Sequence, residues 1–463
     1  MTGSSEQCIT CKWYDGLSSY EYGDISCTAF PKGIPIEILT GIHDHRLPFS
    51  GDKGITWEKE SDDVLDYLPR YETTRERHTR QIAQYLEDLK EIENNPPCPK
   101  CGANLHQIIY GMPPGPPTFG YAIGGCVIIG DYPRAEWWCR KCNIETDDDE
   151  ITLGDLAREF CCFERVDRSP FQRSARILQS MWRDKKGYEI GEFKIRNGSR
   201  LLGSRLPMPW AKDTLSNYLT QNIKDVVKAE VLDRIKSKGK LYAKPRIFND
   251  LLSSQPLCFN LFGELKKDLS LATRVIESLV PGMVEEVIDI DFEWSPGQSD
   301  PKLTGDRSAF DVYVSFTSKT GGKGFIGIEV KYHENLIGKA ATTTDRHHEI
   351  SRQMNCFDYG SLKDLEKQPL QQIWRDHMLA GIHKTVNEFE EGFFVFLYPE
   401  GNTHCSEAVE RYEEYLTNHE TFATWTLESV ANAIKSETND QWIDLFIERY
   451  LNFDKILGSR AGN

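Results

Sequence analysis

Residues 310–332 constrain this chain more than any other segment. Phe310, Val312, Val314 and Phe316 alternate with Asp311, Tyr313 and Ser315, and Ile326, Ile328, Val330 and Tyr332 alternate with Gly327, Glu329 and Lys331. Period two on both sides of Gly321-Gly322 predicts a β-hairpin, the glycines supplying the positive φ angles of a tight reversal. Pairing the apolar sets puts Asp311, Tyr313 and Ser315 on one face with Glu329 and Lys331, and brings Asp311 and Lys331 to the same open end. Such letters also fit a solvated surface hairpin, but here the charges of Glu329 and Lys331 interrupt an apolar run. Two carboxylates and an ammonium gathered there suit a hard cation such as Mg²⁺, held by Asp311 and Glu329, with Lys331 orienting or helping to deprotonate an attacking water. The chemistry implied is phosphodiester hydrolysis.

An acid on one strand followed by (D/E)-x-K on the next is the signature of the PD-(D/E)XK nuclease superfamily, and Asp311 with Glu329-Val330-Lys331 matches it. Segments 171–176, 178–183, 252–256 and 259–263 resemble a bacterial restriction-endonuclease-like group within that superfamily, the likeness covering about residues 165–460. It implies an α/β fold with a mixed sheet flanked by helices, Mg²⁺ dependence, a nucleic-acid substrate with DNA favoured, and a setting of defence against foreign DNA such as phage. The segment 287–294 alternates again, with Ile288, Ile290, Phe292 and Trp294 on one face and Asp289, Asp291 and Glu293 on the other; it reads as the first core strand. Glu293 is the acid nearest the extra site carboxylate of similar proteins, while Asp289 and Asp291 read as solvated. Gln372, near the start of a helix after the hairpin, resembles the polar residue that follows Glu-x-Lys in related nucleases. Glu264 matches a helical site acid by position alone and reads more simply as an exposed residue of an amphipathic helix. His377 has no His or Cys at helical spacing to share a metal.

The net charge of −16 is unevenly spread. Residues 166–250 hold 19 Lys and Arg against 9 Asp and Glu, a local +10 that leaves −26 on the rest. Arg234, Lys236, Lys238, Lys240, Lys244 and Arg246 fall in one short span, which suits a surface that follows phosphates. No run of eighteen apolar residues and no signal-like N-terminus appears, so the expectation is a cytoplasmic protein with no membrane segment.

Thirteen cysteines in such a chain point to thiolates on metal. Cys98-x-x-Cys101 and Cys139-x-x-Cys142 form a pair of knuckles suited to a Cys₄ zinc ribbon, although the 37-residue spacer is long. Cys8, Cys11, Cys27 and His45 suggest a second, Cys₃His zinc site, with His43 an alternative to His45. Structural Zn²⁺ is thus expected at one or two sites. Cys126, and the adjacent Cys161 and Cys162, read as apolar core residues. The domain reading is 1–62, a Cys₃His module; 63–97, a helical spacer with a capping box at Thr73 and Glu76; 98–150, a zinc ribbon ending in an acidic linker; 151–250, a basic and mainly helical arm; and 251–463, the nuclease core.

The function these features favour is a Mg²⁺-dependent endonuclease acting on DNA. A nuclease of the same fold directed at RNA, and a zinc-module binding or sensor protein with an inactive nuclease-like scaffold, are the alternatives. A homodimer fits cleavage of both strands, and a defence-system partner protein fits the setting.

Overall fold

The computed structural model describes residues 6–17, 25–39, 43–61, 95–109, 121–123, 135–196, 198–358, 360 and 362–458. Two compact units emerge, residues 1–95 with 104–133, and residues 96–103 with 134–463. The spacer helix with Thr73 and Glu76, the stretch 110–117 and Cys126 lie outside the described residues.

The larger unit is built on a five-stranded mixed sheet. β1 (Val284–Trp294), β2 (Phe310–Ser318) and β3 (Lys323–Val330) run as an antiparallel meander, and β4 (Glu391–Tyr398) and β5 (Phe422–Thr426) continue in parallel beyond β3, giving the order β5-β4-β3-β2-β1. Parallel neighbours need a crossover, and between β3 and β4 the chain passes through a helix at Gln371–Val386. This is the α/β fold with helix-flanked mixed sheet expected from the sequence.

In the hairpin Val312 pairs with Ile328 and Val314 with Ile326, so the apolar residues of both strands share a face. The turn differs in one respect from expectation. Of the two turn glycines only Gly321 has positive φ, at 91°; a Cβ on Gly322 would displace the Glu390 side chain.

β1 also departs from simple alternation. Ser315 pairs with Asp289 but Phe316 with Val287, so Ile288 is the extra residue of a bulge and is 50% exposed. Val287, Ile290 and Phe292 instead supply the buried apolar side, packing with Val312, Val314, Ile326 and Ile328 under helices that include α2 (Ser254–Lys267) and α3 (Leu269–Leu279). The opposite face, expected to be polar, is covered as well. There Tyr313, Phe325, Phe394 and Phe396 join Ile373, Trp374 and Met378 of the crossover helix, α4 (Gln371–Val386), in a second core. Charge breaks this burial at the strand ends near Asp311 and Glu329 and, within β1, at Asp289 and Asp291.

Residues 151–250 are joined to the same body. α1 (Pro170–Lys185) starts at a capping box in which Ser169 and Gln172 satisfy each other's backbone, with Pro170 in the first turn. Ala175, Leu215, Ile223 and Ile247 enter the core beneath the sheet. The acidic stretch after Thr146 is no linker; it runs directly into a helix at Asp148–Glu159, whose Leu153 and Leu156 pack with Ile177 and Leu178. Of the adjacent cysteines, Cys162 is buried but Cys161 is exposed. His377 is engaged structurally, bonded to the Tyr412 hydroxyl at 2.9 Å and Thr421 Oγ1 at 2.8 Å.

In the smaller unit, Tyr14–Leu17 and Ile25–Cys27 form an antiparallel pair beside a cluster of Cys8, Cys27, Ala29, Phe30, Ile34 and Ile38. Among the described residues, no helix is long and apolar enough to cross a membrane.

Candidate active site and cysteine cluster

Three acids align across three adjacent strands. Phe310 pairs with Trp294 and Val312 with Phe292, which sets Asp311 opposite Glu293; Val312 also pairs with Ile328, which sets Asp311 beside Glu329. Lys331 lies two residues beyond Glu329, and its Nζ donates to Glu329 Oε1 at 2.5 Å. From α4, Gln372 Nε2 donates to the same oxygen at 2.5 Å. Asp311 Oδ2 accepts the Val330 N–H at 2.9 Å, which ties β2 to the end of β3. The structure therefore gathers Glu293, Asp311, Glu329, Lys331 and Gln372 in one place.

The charge balance there is unfavourable without a further cation. Burial first, then Glu329 and Glu293, pushes the Asp311 carboxyl well above the usual carboxylate range. Burial also raises Glu293 to about 7, Gln255 opposing and Glu329 adding to the shift. Burial works against the Lys331 ammonium, but Glu329, Glu334 and Asp311 outweigh it and hold the proton more firmly than on an ordinary lysine. Three crowded carboxylates against one ammonium make a donor set that a divalent ion would neutralise, and oxygen ligands are what Mg²⁺ takes.

Glu293 also carries backbone strain. Its φ of 47° lies in the left-handed region, rare for a non-glycine residue and rarer within a strand. Beyond it Trp294 turns to stack on Tyr313 at 3.7 Å.

Several residues that hold the site have no sequence signature of that role. Gln255, at the start of α2, donates from Nε2 to Glu293 while its Oε1 accepts the Ala243 N–H at 2.9 Å. The segment after Lys331 is clamped by Gln172, donating to the His333 carbonyl, and by Asn402, donating to the carbonyls of Tyr332 and Glu334. Gln179 donates to the Tyr332 hydroxyl at 3.2 Å and accepts from Arg449 at 2.9 Å. Asp376, one turn after Gln372, is a buried acid whose Oδ2 finds no hydrogen-bond partner; burial and then Glu329 raise its carboxyl well above normal. Spacing of four residues from Gln372 was the available signal for Asp376. Glu264 is engaged elsewhere, accepting from Thr220 and Asn222.

A scan against family models matches residues 165–452 to the PD-(D/E)XK nuclease superfamily. The chain belongs to that superfamily. No curated protein and no solved structure matches it significantly. The PD-(D/E)XK domain thus spans α1 through the last core helices, and members of this superfamily are typically metal-dependent nucleases acting on nucleic acid.

The basic span beside the PD-(D/E)XK sheet is more internally paired than its composition suggests. Lys236 and Lys240 bind the buried Glu230 at 3.3 and 3.1 Å, and Lys240 is only 15% exposed. Lys266 joins Glu230, Asp289 and Asp291 in the same network, so those two aspartates are not merely solvated. Arg246 pairs with Asp250 at 3.4 Å, and Lys244 Nζ donates to the Val231 carbonyl at 3.4 Å. Arg234 and Lys238 are exposed and have no carboxylate partner among the described residues.

Cys98, Cys101, Cys139 and Cys142 bring their sulfurs within 4.8 Å of one another. Cys101 and Cys139 Sγ are 3.7 Å apart, Gly102 turns at φ 73°, and the amides of Lys100 and Cys142 point at the sulfurs of Cys98 and Cys139. Burial resists ionisation of Cys101, but the Ala103 amide and the thiols of Cys142, Cys139 and Cys98 draw it down to about 7. Burial raises the other three thiols, Cys98 to about 11, so the convergence of the four sulfurs is what fits tetrahedral Zn²⁺. The cluster is fastened to the helix Asp148–Glu159, which precedes the PD-(D/E)XK domain, by Arg158, whose Nη2 donates to the Cys98 carbonyl at 2.8 Å, and by Gly154, where a Cβ would press on Pro99.

Cys8, Cys11, Cys27 and His45 line one small cavity with Gln7, Tyr14, Ile34, Ile38 and Trp57. Their donor atoms do not converge as the Cys₄ sulfurs do, and among the described residues the Cys₄ group alone meets that spacing. His45 Nε2 is buried with no hydrogen-bond partner, whereas His43 Nε2 contacts the Leu47 carbonyl at 3.2 Å.

Proposed function

We propose that this chain is a Mg²⁺-dependent endonuclease that hydrolyses DNA phosphodiester bonds, with Glu293, Asp311 and Glu329 as the ion's ligands. The observation that carries this reading is the row of three acids across β1, β2 and β3 with one buried ammonium beside it. Bound Mg²⁺ would neutralise the carboxylates, polarise the phosphoryl group and acidify water.

The chain's own side chains prepare that chemistry. Val330 N–H fixes one oxygen of Asp311. Lys331 and Gln372 converge on Oε1 of Glu329 and set its rotation. Gln255 does the same for Glu293, leaving Oε2 for the ion. Lys331, an ammonium with donors only, orients water and meets negative charge growing on the phosphate.

DNA and a defence role follow from the likeness of segments 171–183 and 252–263 to restriction-like enzymes. Work in the cytoplasm, as a homodimer when both strands are cut and alongside a defence partner, completes the proposal. The Cys₄ cluster is assigned to structural Zn²⁺, and the cavity lined by Cys8, Cys11, Cys27 and His45 would take a second ion only by drawing its donor atoms together. Supercoiled plasmid and a structured RNA, each incubated with the protein in Mg²⁺ and in EDTA, test the substrate. Cleavage of plasmid alone, lost in EDTA, is expected; cleavage of RNA alone would replace DNA by RNA.

A further inference from the structure

Beside the basic span lies a cavity of about 530 Å³ lined by Met208, Lys212, Leu232, Arg234, Lys244 and Phe248. Its lining combines apolar side chains with three cations, none paired with a carboxylate among the described residues. Arg234 and Lys212 are both exposed, so their charge is available to a ligand. A second cavity, about 520 Å³, shares Met208 and Pro245 as a common wall and adds Arg246 and Asn249. Asn249 is 5% exposed, yet its side-chain oxygen meets no donor. A buried acceptor without a donor is costly, and the residue that carries it lines this second cavity.

The geometry points to a nucleotide subsite: we infer that one nucleotide of the substrate strand places its base against Met208, Leu232 and Phe248 and its phosphate on Lys212, Arg234 and Lys244, with the neighbouring base reaching Asn249. The volume suits a nucleotide, a lining of apolar side chains and cations suits a base joined to a phosphate, and exocyclic amino groups are the donors Asn249 lacks. A direct connection to the acids exists. Ala243, next to Lys244, donates to Gln255, which in turn donates to Glu293. Tyr242 adds a contact to the Phe292 carbonyl at 3.4 Å. A strand seated in the cavity therefore leans on the loop that holds Glu293. The inference rests on the nuclease reading for the strand's identity, but its test does not need cleavage.

The test uses the full chain in EDTA. Binding of a fluorescent single-stranded 12-mer is measured by anisotropy for wild type, for Lys212→Glu/Arg234→Glu, and for the charge-matched control Lys367→Glu/Lys435→Glu, with competition by dAMP and by inorganic phosphate. Unfolding midpoints check that the exposed substitutions leave the fold intact. We expect at least tenfold weaker binding in the pocket variant than in the control, a salt slope shallower by roughly 1–2, and dAMP competing at least tenfold better than phosphate. Displacement by dAMP with no measurable binding of the 12-mer would make the site one for free nucleotides and overturn its role on a strand. Equal binding by pocket and control variants, or phosphate competing as well as dAMP, would overturn the subsite itself. Weakened binding in the pocket variant of a protein that never cleaves would leave the subsite standing and remove the nuclease reading.

Discussion

Gln255 and Glu293 lie 38 residues apart, and the side-chain amide of the first donates to the carboxylate of the second. That bond joins the start of α2 to the end of β1 and orients an acid whose own backbone is in a left-handed conformation. Strain of this kind persists where surrounding contacts over-determine it, and Gln255 is one of those contacts.

Gln255→Leu keeps the volume and removes all three side-chain hydrogen bonds, to Ala243, Leu241 and Glu293. Cleavage should fall by about 10–100-fold, the usual cost of losing a group that orients a ligand. Single-turnover kinetics on plasmid DNA checks this, and a second readout is the Mg²⁺ concentration giving half the maximal rate, which should rise.

Without a divalent ion the site should become more costly as pH rises. Glu293 has its carboxyl raised from an ordinary value of 4.5 to about 7. An acid raised on folding adds no penalty below its unfolded value and a full penalty above its folded value. In EDTA the unfolding free energy should therefore decline between pH 4.5 and 7, by up to about 3 kcal/mol from this group at the plateau, and the midpoint with it. Glu293→Gln should flatten the decline, and saturating Mg²⁺ should restore wild type but not the variant. Thermal unfolding across this pH range, with and without Mg²⁺, measures it.

Glu264→Gln should leave the cleavage rate within about twofold of wild type, because Glu264 faces Thr220 and Asn222 and not the row of acids. Thermal stability, read in parallel, should fall by about 1 kcal/mol from the weakened hydrogen bonds.

Cys101→Ser/Cys139→Ser should remove one zinc per chain by elemental analysis and lower the unfolding midpoint. Since Arg158 ties the cysteine turn to the helix under α1, the loss should be felt in the PD-(D/E)XK domain itself.

The hairpin was legible because both of its strands alternate around a glycine turn, and alternation fixes register wherever one face is buried. Glu293 was singled out by the resemblance to nucleases with an extra site carboxylate, since alternation alone puts Asp289 and Asp291 on the same face of the strand. The bulge at Ile288 was not legible, because a bulge is a property of the pairing between β1 and β2 and leaves no mark on one strand's alternation. Gln255, Gln179 and Asn402 act over long separations through single hydrogen bonds, which no local pattern encodes. The lysines of 236–240 looked free for phosphate because their partner, Glu230, is a buried residue on a short π-helical turn and reads in sequence as one acid among many cations.

The role of the acids and of Lys331 is tested most directly by the rate of Mg²⁺-dependent cleavage of supercoiled plasmid by wild type, Asp311→Asn and Lys331→Met, measured side by side. The expected result is cleavage by wild type that EDTA abolishes, and a loss of about 10²–10³-fold or more in each variant, with both variants folded. Metal-independent cleavage, or variants that cut as fast as wild type, would contradict that role.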